Sequence, residues 1–206
     1  MVHYKLYYFP IRGIVEPIRD LLKYAKADFE DVRIPKEEWP QFKEKTPTGK
    51  VPYLEFEGNV IPESMAILRY LGREFNLNGA NNVEAAEIDS VVEVVKDTAN
   101  KVRDYIRVAR GLQEGDRIEL FRDLYVPNRD VLMAYITKQM QKSKSGFLLN
   151  SGVSWADFFL AETFETLSLV DEDFNTRYPG AAVYKRRVFN LPNLKEYIDS
   201  RPEGSF

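Results

Sequence analysis

The chain has 206 residues, 44% of them hydrophobic and 30% charged, with a net charge of -3. Such a composition belongs to an ordinary globular protein with room for a sizeable core, and its slight acidity argues against nucleic acid as a partner. Cysteine is absent and His3 is the single histidine, which excludes disulfides, thiolate nucleophiles and every Cys/His zinc pattern.

Residues 2 to 9 (VHYKLYYF) are aromatic and β-branched and read as a strand. They lack the basic-then-apolar layout of a signal peptide, so a cytoplasmic location is expected. His3 reads as a strand-edge residue, since no nucleophile elbow lies nearby for a Ser-His-Asp triad. Tyr7 and Tyr8 must point to opposite faces, one into the core and the other placing a hydroxyl at the strand's end, towards a ligand. EPIRDLLKYAKA (16 to 27) reads as a helix, with Pro17 in its first turn and Ile18, Leu21, Leu22 and Ala25 at helical spacing. DFEDVRI is a second strand. YLEF and NVI flank a hairpin turn at Glu57-Gly58, and ESMAILRYLGREF (63 to 75) closes the set as a helix.

The order βαβ then ββα predicts a small α/β domain over residues 1–77, and the Asn/Gly-rich NLNGANNV reads as a linker. From 83 to 206 the periodicity is helical only. One long helix is expected over 84 to 110 and another over 117 to 142, kinked at Pro127. Ser154-x-x-Asp157 before an apolar run signals a capping box, and two short helices finish the chain, one before Pro192 and one at 192 to 200. No apolar run approaches the roughly 20 residues of a membrane helix, so no membrane partner is expected.

Three spots carry chemistry. Val51-Pro52 stands at the mouth of a strand, where proline lacks the N–H a sheet requires. Either the proline simply starts the strand, or a cis bond turns the Val51 backbone outward to pair with an extended, peptide-like ligand. Glu63-Ser64 opens a helix whose first N–H groups favour an anion. Ser64 can serve as a plain N-cap, hold a carboxylate, or do both, with Glu63 beside it for an ammonium. Trp39 and Lys43, four apart, share a face of a short helix and offer an indole donor and an ammonium; the plainer alternative packs Trp39 on the core and leaves Lys43 solvated.

YKLYYFPIRG, the DVRI strand followed by Trp39, TPTGKVPYLE, IPESMAILRYLGREF, GFLLNSGVSWADFFLAE and the closing RPEGSF together resemble the cytosolic glutathione transferases, of the sigma class and its nematode-like relatives. The resemblance covers essentially the whole chain. It implies a thioredoxin-like α/β N-terminal domain, an all-α C-terminal domain contributing the electrophile site and dimer contacts, and assembly as a homodimer. Glutathione would be the co-substrate, and small apolar electrophiles the partners. By the same resemblance Tyr8 is the catalytic tyrosine, donating to the glutathione sulfur. Trp39 and Lys43 hold the glycine carboxylate, with Gly49 and Lys50 close by. Val51, before Pro52, pairs with the cysteinyl backbone. Glu63 and Ser64 take the γ-glutamyl end, and Asp97 reaches its ammonium across the dimer. Phe9, Ile14, Tyr105 and Phe206 are the candidates for the hydrophobic-substrate site.

Departures from the pattern are Glu63 where glutamine is commoner, Ile14 where some sigma enzymes carry an arginine that assists the thiolate, and Thr48 for phenylalanine. Lys96 breaks the acidic cluster of metal-responsive relatives, so no metal is expected. The leading expectation is a detoxifying transferase, with peroxidase or prostaglandin-isomerase side activity. The rivals are a carrier of apolar ligands such as haem or fatty acids, and a structural relative like the cephalopod lens crystallins.

Overall fold

The computed structural model describes residues 2–202. They divide into two compact units: one comprises the residues up to Asn78 together with those from Arg187 onwards, and the other is Gly79–Arg186.

The first unit is built on a four-stranded mixed sheet of β1 (His3–Tyr8), β2 (Asp28–Arg33), β3 (Tyr53–Phe56) and β4 (Asn59–Pro62), in the order β2-β1-β3-β4. β1 runs parallel to β2, from His3 opposite Asp28 to Tyr8 opposite Arg33, because α1 (Glu16–Tyr24) crosses over between them. β3 returns antiparallel to β1, with Tyr7 opposite Tyr53, and β4 pairs with β3 through the Glu57-Gly58 turn. The alternation of β1 buries Tyr4, Leu6 and Tyr8 on one face. They share a core with Ile18, Leu21 and Leu22 of α1, Leu54 of β3, and Ile67, Leu68 and Leu71 of α3 (Ser64–Glu74). Trp39–Phe42 form a single helical turn, α2, which runs into a 3₁₀ turn at Lys43–Lys45.

The second unit is helical throughout: α4 (Asn82–Lys101), α5 (Arg103–Ala109), α6 (Arg117–Glu119), a π-helical stretch Leu120–Tyr125, α7 (Val126–Lys142), α8 (Trp155–Val170) and α9 (Phe174–Arg177). The expected helix over 84 to 110 is interrupted at Val102, whose ψ of 7° falls outside the helical range. The hydrogen bonds from Val102 N to Thr98 O and from Ile106 N to Val102 O continue the ladder across the break. The expected helix over 117 to 142 is continuous, running through Arg117–Glu119, the π-helical Leu120–Tyr125 and Val126–Lys142 without a break, and the irregularity expected at Pro127 takes the form of that π stretch. Pro127 cannot donate to the preceding helical turn, and the widened π turn lies just before it. The capping box is present as expected at the start of α8, the Ser154 side chain accepting from the Asp157 N–H and the Asp157 side chain from the Ser154 N–H. α10 (Pro179–Phe189) runs across the division between the units, and α11 (Lys195–Asp199) belongs to the first. The short helix α9 was not anticipated.

Candidate active site

The first strand delivers two adjacent tyrosines to two different environments. Tyr7 stacks flat on Tyr53, with ring centroids 4.3 Å apart, and its hydroxyl donates to Glu55 Oε2 at 2.8 Å. Burial first, and then this carboxylate, push its pKa well above the tyrosine range, so the hydroxyl stays neutral and committed to Glu55. Tyr8 lies on the opposite, buried face at 8% exposure. Its carbonyl accepts from Ile34 N at 2.8 Å, which anchors the end of β1. The chain then folds back so that Gly13, at φ +49°, lies against the Tyr8 hydroxyl, and a Cβ on Gly13 would stand 2.7 Å from that oxygen. Glycine is required here both for its φ and for the close approach.

Beyond the Tyr8 ring the aromatic chain continues. The Phe9 ring lies 5.5 Å from Tyr8, and Trp39, the first residue of α2, meets Phe9 edge-on at 5.1 Å. Ile11 and Ile14, on the turn that carries Gly13, are apolar yet 43% and 53% exposed.

The second group of expected residues lies on the segment after α2. Lys43 is exposed, and its stem passes Gly49, whose Cβ position would be 3.7 Å from Lys43 Cε. Thr46 Oγ1 donates to Lys43 O at 2.7 Å and fixes the turn between them. Lys50 is exposed and Val51 half-buried outside the strand ladder, and the Val51-Pro52 peptide is cis. Glu63 takes φ +71°, a backbone conformation that L side chains rarely adopt, and α3 starts immediately after it. Ser64 is the first helical residue and is buried, and no side chain caps this end of α3. Of the alternatives for Ser64, the plain N-cap is therefore not realised: Glu63 occupies the cap position.

Two profiles match the chain: that of the glutathione S-transferase N-terminal domain over residues 4–73, and that of its C-terminal domain over residues 108–201. The chain belongs to the glutathione S-transferase family. Its sequence is 38% identical, over the full length of both, to probable glutathione S-transferase 7 of Caenorhabditis elegans. Its fold superposes on the glutathione S-transferase of Ascaris lumbricoides with a TM-score of 0.93, at 37% identity and covering 98% of each chain. A Nu-class enzyme from Haemonchus contortus gives 0.90 at 37% identity, and a monomeric glutathione S-transferase from Necator americanus gives 0.91 at 34%, each covering 98% of both chains.

As a glutathione S-transferase the protein is an enzyme with glutathione as its co-substrate, and its first unit is the thioredoxin-like domain of the family. The remaining expected residues fall in the helical unit or beyond the described chain. Asp97 is exposed on α4 and paired with Lys101 at 2.7 Å. Tyr105 of α5 is 1% exposed, packs against Phe121 and Tyr125, and donates its hydroxyl to Val170 O. Phe206 lies outside the described residues. Among those described, no group of three metal-ligating side chains gathers, and no helix is long and apolar enough to cross a membrane.

Sequence reasoning passed over two residues near Tyr8. Gly13 carried a signal, a glycine five positions after a candidate donor at a strand-to-helix turn. Arg19 carried a weaker one, an i, i+3 spacing to Glu16 on a helix face that otherwise reads as core.

Proposed function

We propose that this transferase ionises the thiol of bound glutathione by hydrogen bonding from the Tyr8 hydroxyl, and that the thiolate then attacks small apolar electrophiles. A free thiol has a pKa of about 8.5, so only a few per cent is thiolate at neutral pH. A neutral hydroxyl that donates to the sulfur stabilises the charged form, and lowering the pKa by about two units corresponds to roughly 2.7 kcal/mol. The thiol proton passes to solvent, and the sulfur lone pair then forms the new carbon–sulfur bond as the electrophile's leaving group departs with the bonding pair.

The observation that carries this reading is the different fate of the two tyrosines. Tyr7 donates to Glu55 on one face; on the other, Tyr8 ends its strand with its hydroxyl against the Gly13 backbone and its ring beside Phe9, which in turn meets Trp39. In the same reading Trp39, Lys43, Gly49 and Lys50 take the glycine carboxylate, and Val51, at the cis Pro52, takes the cysteinyl backbone. Glu63 and Ser64 take the γ-glutamyl end at the open N-terminus of α3, where the helix dipole favours a carboxylate. Phe9 and Ile14 face the apolar electrophile, and the exposure of Ile11 and Ile14 supports an apolar second substrate. Asp97 serves a second copy in a homodimer. The motifs favour a sigma-like, nematode-type enzyme that acts in the cytoplasm in detoxification.

The test is conjugation of glutathione to a chromogenic aryl halide by the parent, Tyr8→Phe and Tyr7→Phe. The expected result is a loss of about 10²-fold or more in Tyr8→Phe with glutathione binding kept, and near-parent turnover in Tyr7→Phe. Equal turnover in the parent and Tyr8→Phe moves the donor elsewhere. Glutathione binding without turnover in the parent replaces the transferase with a carrier of apolar ligands.

A further inference from the structure

The β1–α1 turn that presents Gly13 to Tyr8 is not held by its own backbone alone. Arg19, on α1 and 1% exposed, reaches back beneath it. Its Nη1 donates to Ile11 O at 2.7 Å and to Glu16 Oε2 at 2.9 Å, its Nη2 to Phe9 O at 3.4 Å, and its Nε to Asp31 on β2 at 3.1 Å. One buried guanidinium thus grips the turn at Phe9 and Ile11, directly after Tyr8, and ties it to the first turn of α1 and to the neighbouring strand. Ile11 N adds a bond to Phe9 O at 2.8 Å that tightens the same loop.

Glu16 extends this grip to the chain's last helix. Its other oxygen, Oε1, accepts from Tyr197 of α11 at 2.6 Å and from Arg201 at 3.2 Å. A buried arginine that made only an ion pair would serve stability. This one spends two of its donors on the carbonyls of the turn that packs against the Tyr8 hydroxyl.

We propose that Arg19 is a positioning residue for thiol activation: it sets the Tyr8 hydroxyl by fixing the Phe9–Gly13 turn, and Tyr197 and Arg201 brace it through Glu16. The proposal rests on the reading of Tyr8 as the sulfur's donor. Arg19 touches no substrate in this scheme. Its effect reaches the sulfur through the hydroxyl, which must lie within about 3 Å of the sulfur along a suitable line to hold the thiolate.

Arg19→Lys separates position from stability. Lysine keeps a cation beside Glu16, but its single ammonium cannot reach Phe9 O, Ile11 O and Asp31 together as the planar fork does. The measurement is a pH titration of the bound glutathione thiol, followed by thiolate absorbance, in the parent, Tyr8→Phe, Arg19→Lys and Tyr197→Phe. The steady-state KM for glutathione is measured alongside. In Arg19→Lys the thiol is expected to titrate about one unit higher, which lowers turnover about tenfold well below the free thiol's pKa. KM for glutathione should stay within about threefold, because the residues proposed to bind the tripeptide lie on other segments. Tyr197→Phe should move the thiol the same way by a smaller step. If Tyr8→Phe raises the thiol pKa and both other variants leave it at the parent value, the positioning role is overturned and the role of Tyr8 stands. If Tyr8→Phe leaves it unchanged, the reading of Tyr8 fails and this inference with it. Should Arg19→Lys not fold, Tyr197→Phe decides alone: a raised thiol pKa supports the brace, and an unchanged one overturns it.

Discussion

Glu16 in the first unit and Asp157 in the helical unit are both buried carboxylates near the start of a helix, and their partners differ in kind. Glu16 faces two guanidinium groups, Arg19 and Arg201, and accepts a hydrogen bond from Tyr197. Burial alone would raise its pKa, but the bonds from Tyr197 and Arg19 and the two positive charges outweigh it and hold it below the usual glutamate value. Asp157 accepts from Ser154 N at 2.7 Å, Ser154 Oγ at 2.6 Å, Leu148 N at 2.9 Å and the Tyr184 hydroxyl. All four donors are neutral. Here burial prevails over them and pushes the carboxyl above its ordinary range. At Glu16 the two cations help tip the balance towards the charged form, whereas at Asp157 four neutral donors do not outweigh burial.

That difference is broken most directly at Glu16. Glu16→Gln keeps the shape but removes the buried one of the two carboxylates paired with Arg19, leaving it Asp31 alone, so a loss of about 3 kcal/mol is expected in urea unfolding. Asp157→Asn leaves donors facing an amide N–H₂ but strands no charge, and a loss nearer about 1–2 kcal/mol is expected. The reverse order would show that the buried cation matters less than the capping box.

Acidification sharpens the same comparison, because the two groups have opposite signs. The folded pKa of Glu16 is lowered, so its contribution is complete above the unfolded value of about 4.3 and is lost as pH falls through the folded one. The folded pKa of Asp157 is raised, so its contribution is complete below about 3.9 and is lost as pH rises through its folded value. The stability gap between the parent and Asp157→Asn should therefore widen as the pH is lowered from neutral. The gap between the parent and Glu16→Gln should hold until the carboxylate range and then shrink. Parallel pH profiles for the two variants would remove the distinction.

How much of this was legible before the structure depends on how far each feature reaches along the chain. β1, the Glu57-Gly58 hairpin, α3 and the capping box at Ser154 and Asp157 are written in spacings of two to four residues, and all of them appear. The opposite faces of Tyr7 and Tyr8 follow from strand periodicity. That Tyr7 is tied to Glu55 does not, because Glu55 lies on the neighbouring strand β3, 48 residues further on, and neither does the return of Gly13 against Tyr8. The interruption at Val102 has no glycine or proline to announce it. Pro127 announced an irregularity, but the π turn that accommodates it lies upstream. The spacing of Glu16 and Arg19 is that of an ordinary charged pair; the hydrogen bond that Glu16 accepts from Tyr197, 181 residues further on, has no local signal.

The smallest expected effect concerns backbone strain, which also divides the units. Among the described residues the non-glycine positions with positive φ are Lys26, Glu57, Glu63, Asn76 and Asn193, all in the first unit, whereas Gly79–Arg186 confines positive φ to glycines. Glu57 is explained by its hairpin turn, where φ > 0 is the rule. Glu63 has no turn to justify it. It stands between β4 and α3, at φ +71° and ψ 122°, a conformation that costs about 1–3 kcal/mol for a residue with a side chain. If the fold alone needed that geometry, glycine would serve better. Glu63→Gly should therefore leave stability within about 1 kcal/mol of the parent or raise it, since relieved strain offsets glycine's extra unfolded-state entropy. Its glutathione affinity, read by calorimetry, should fall about tenfold through loss of the carboxylate. Glu57→Gly, with the same backbone relief on the far turn of the hairpin, should leave that affinity unchanged. An equal fall in both variants would tie the loss to the sheet rather than to Glu63, and an unchanged affinity in Glu63→Gly would leave its strained backbone without a ligand to explain it.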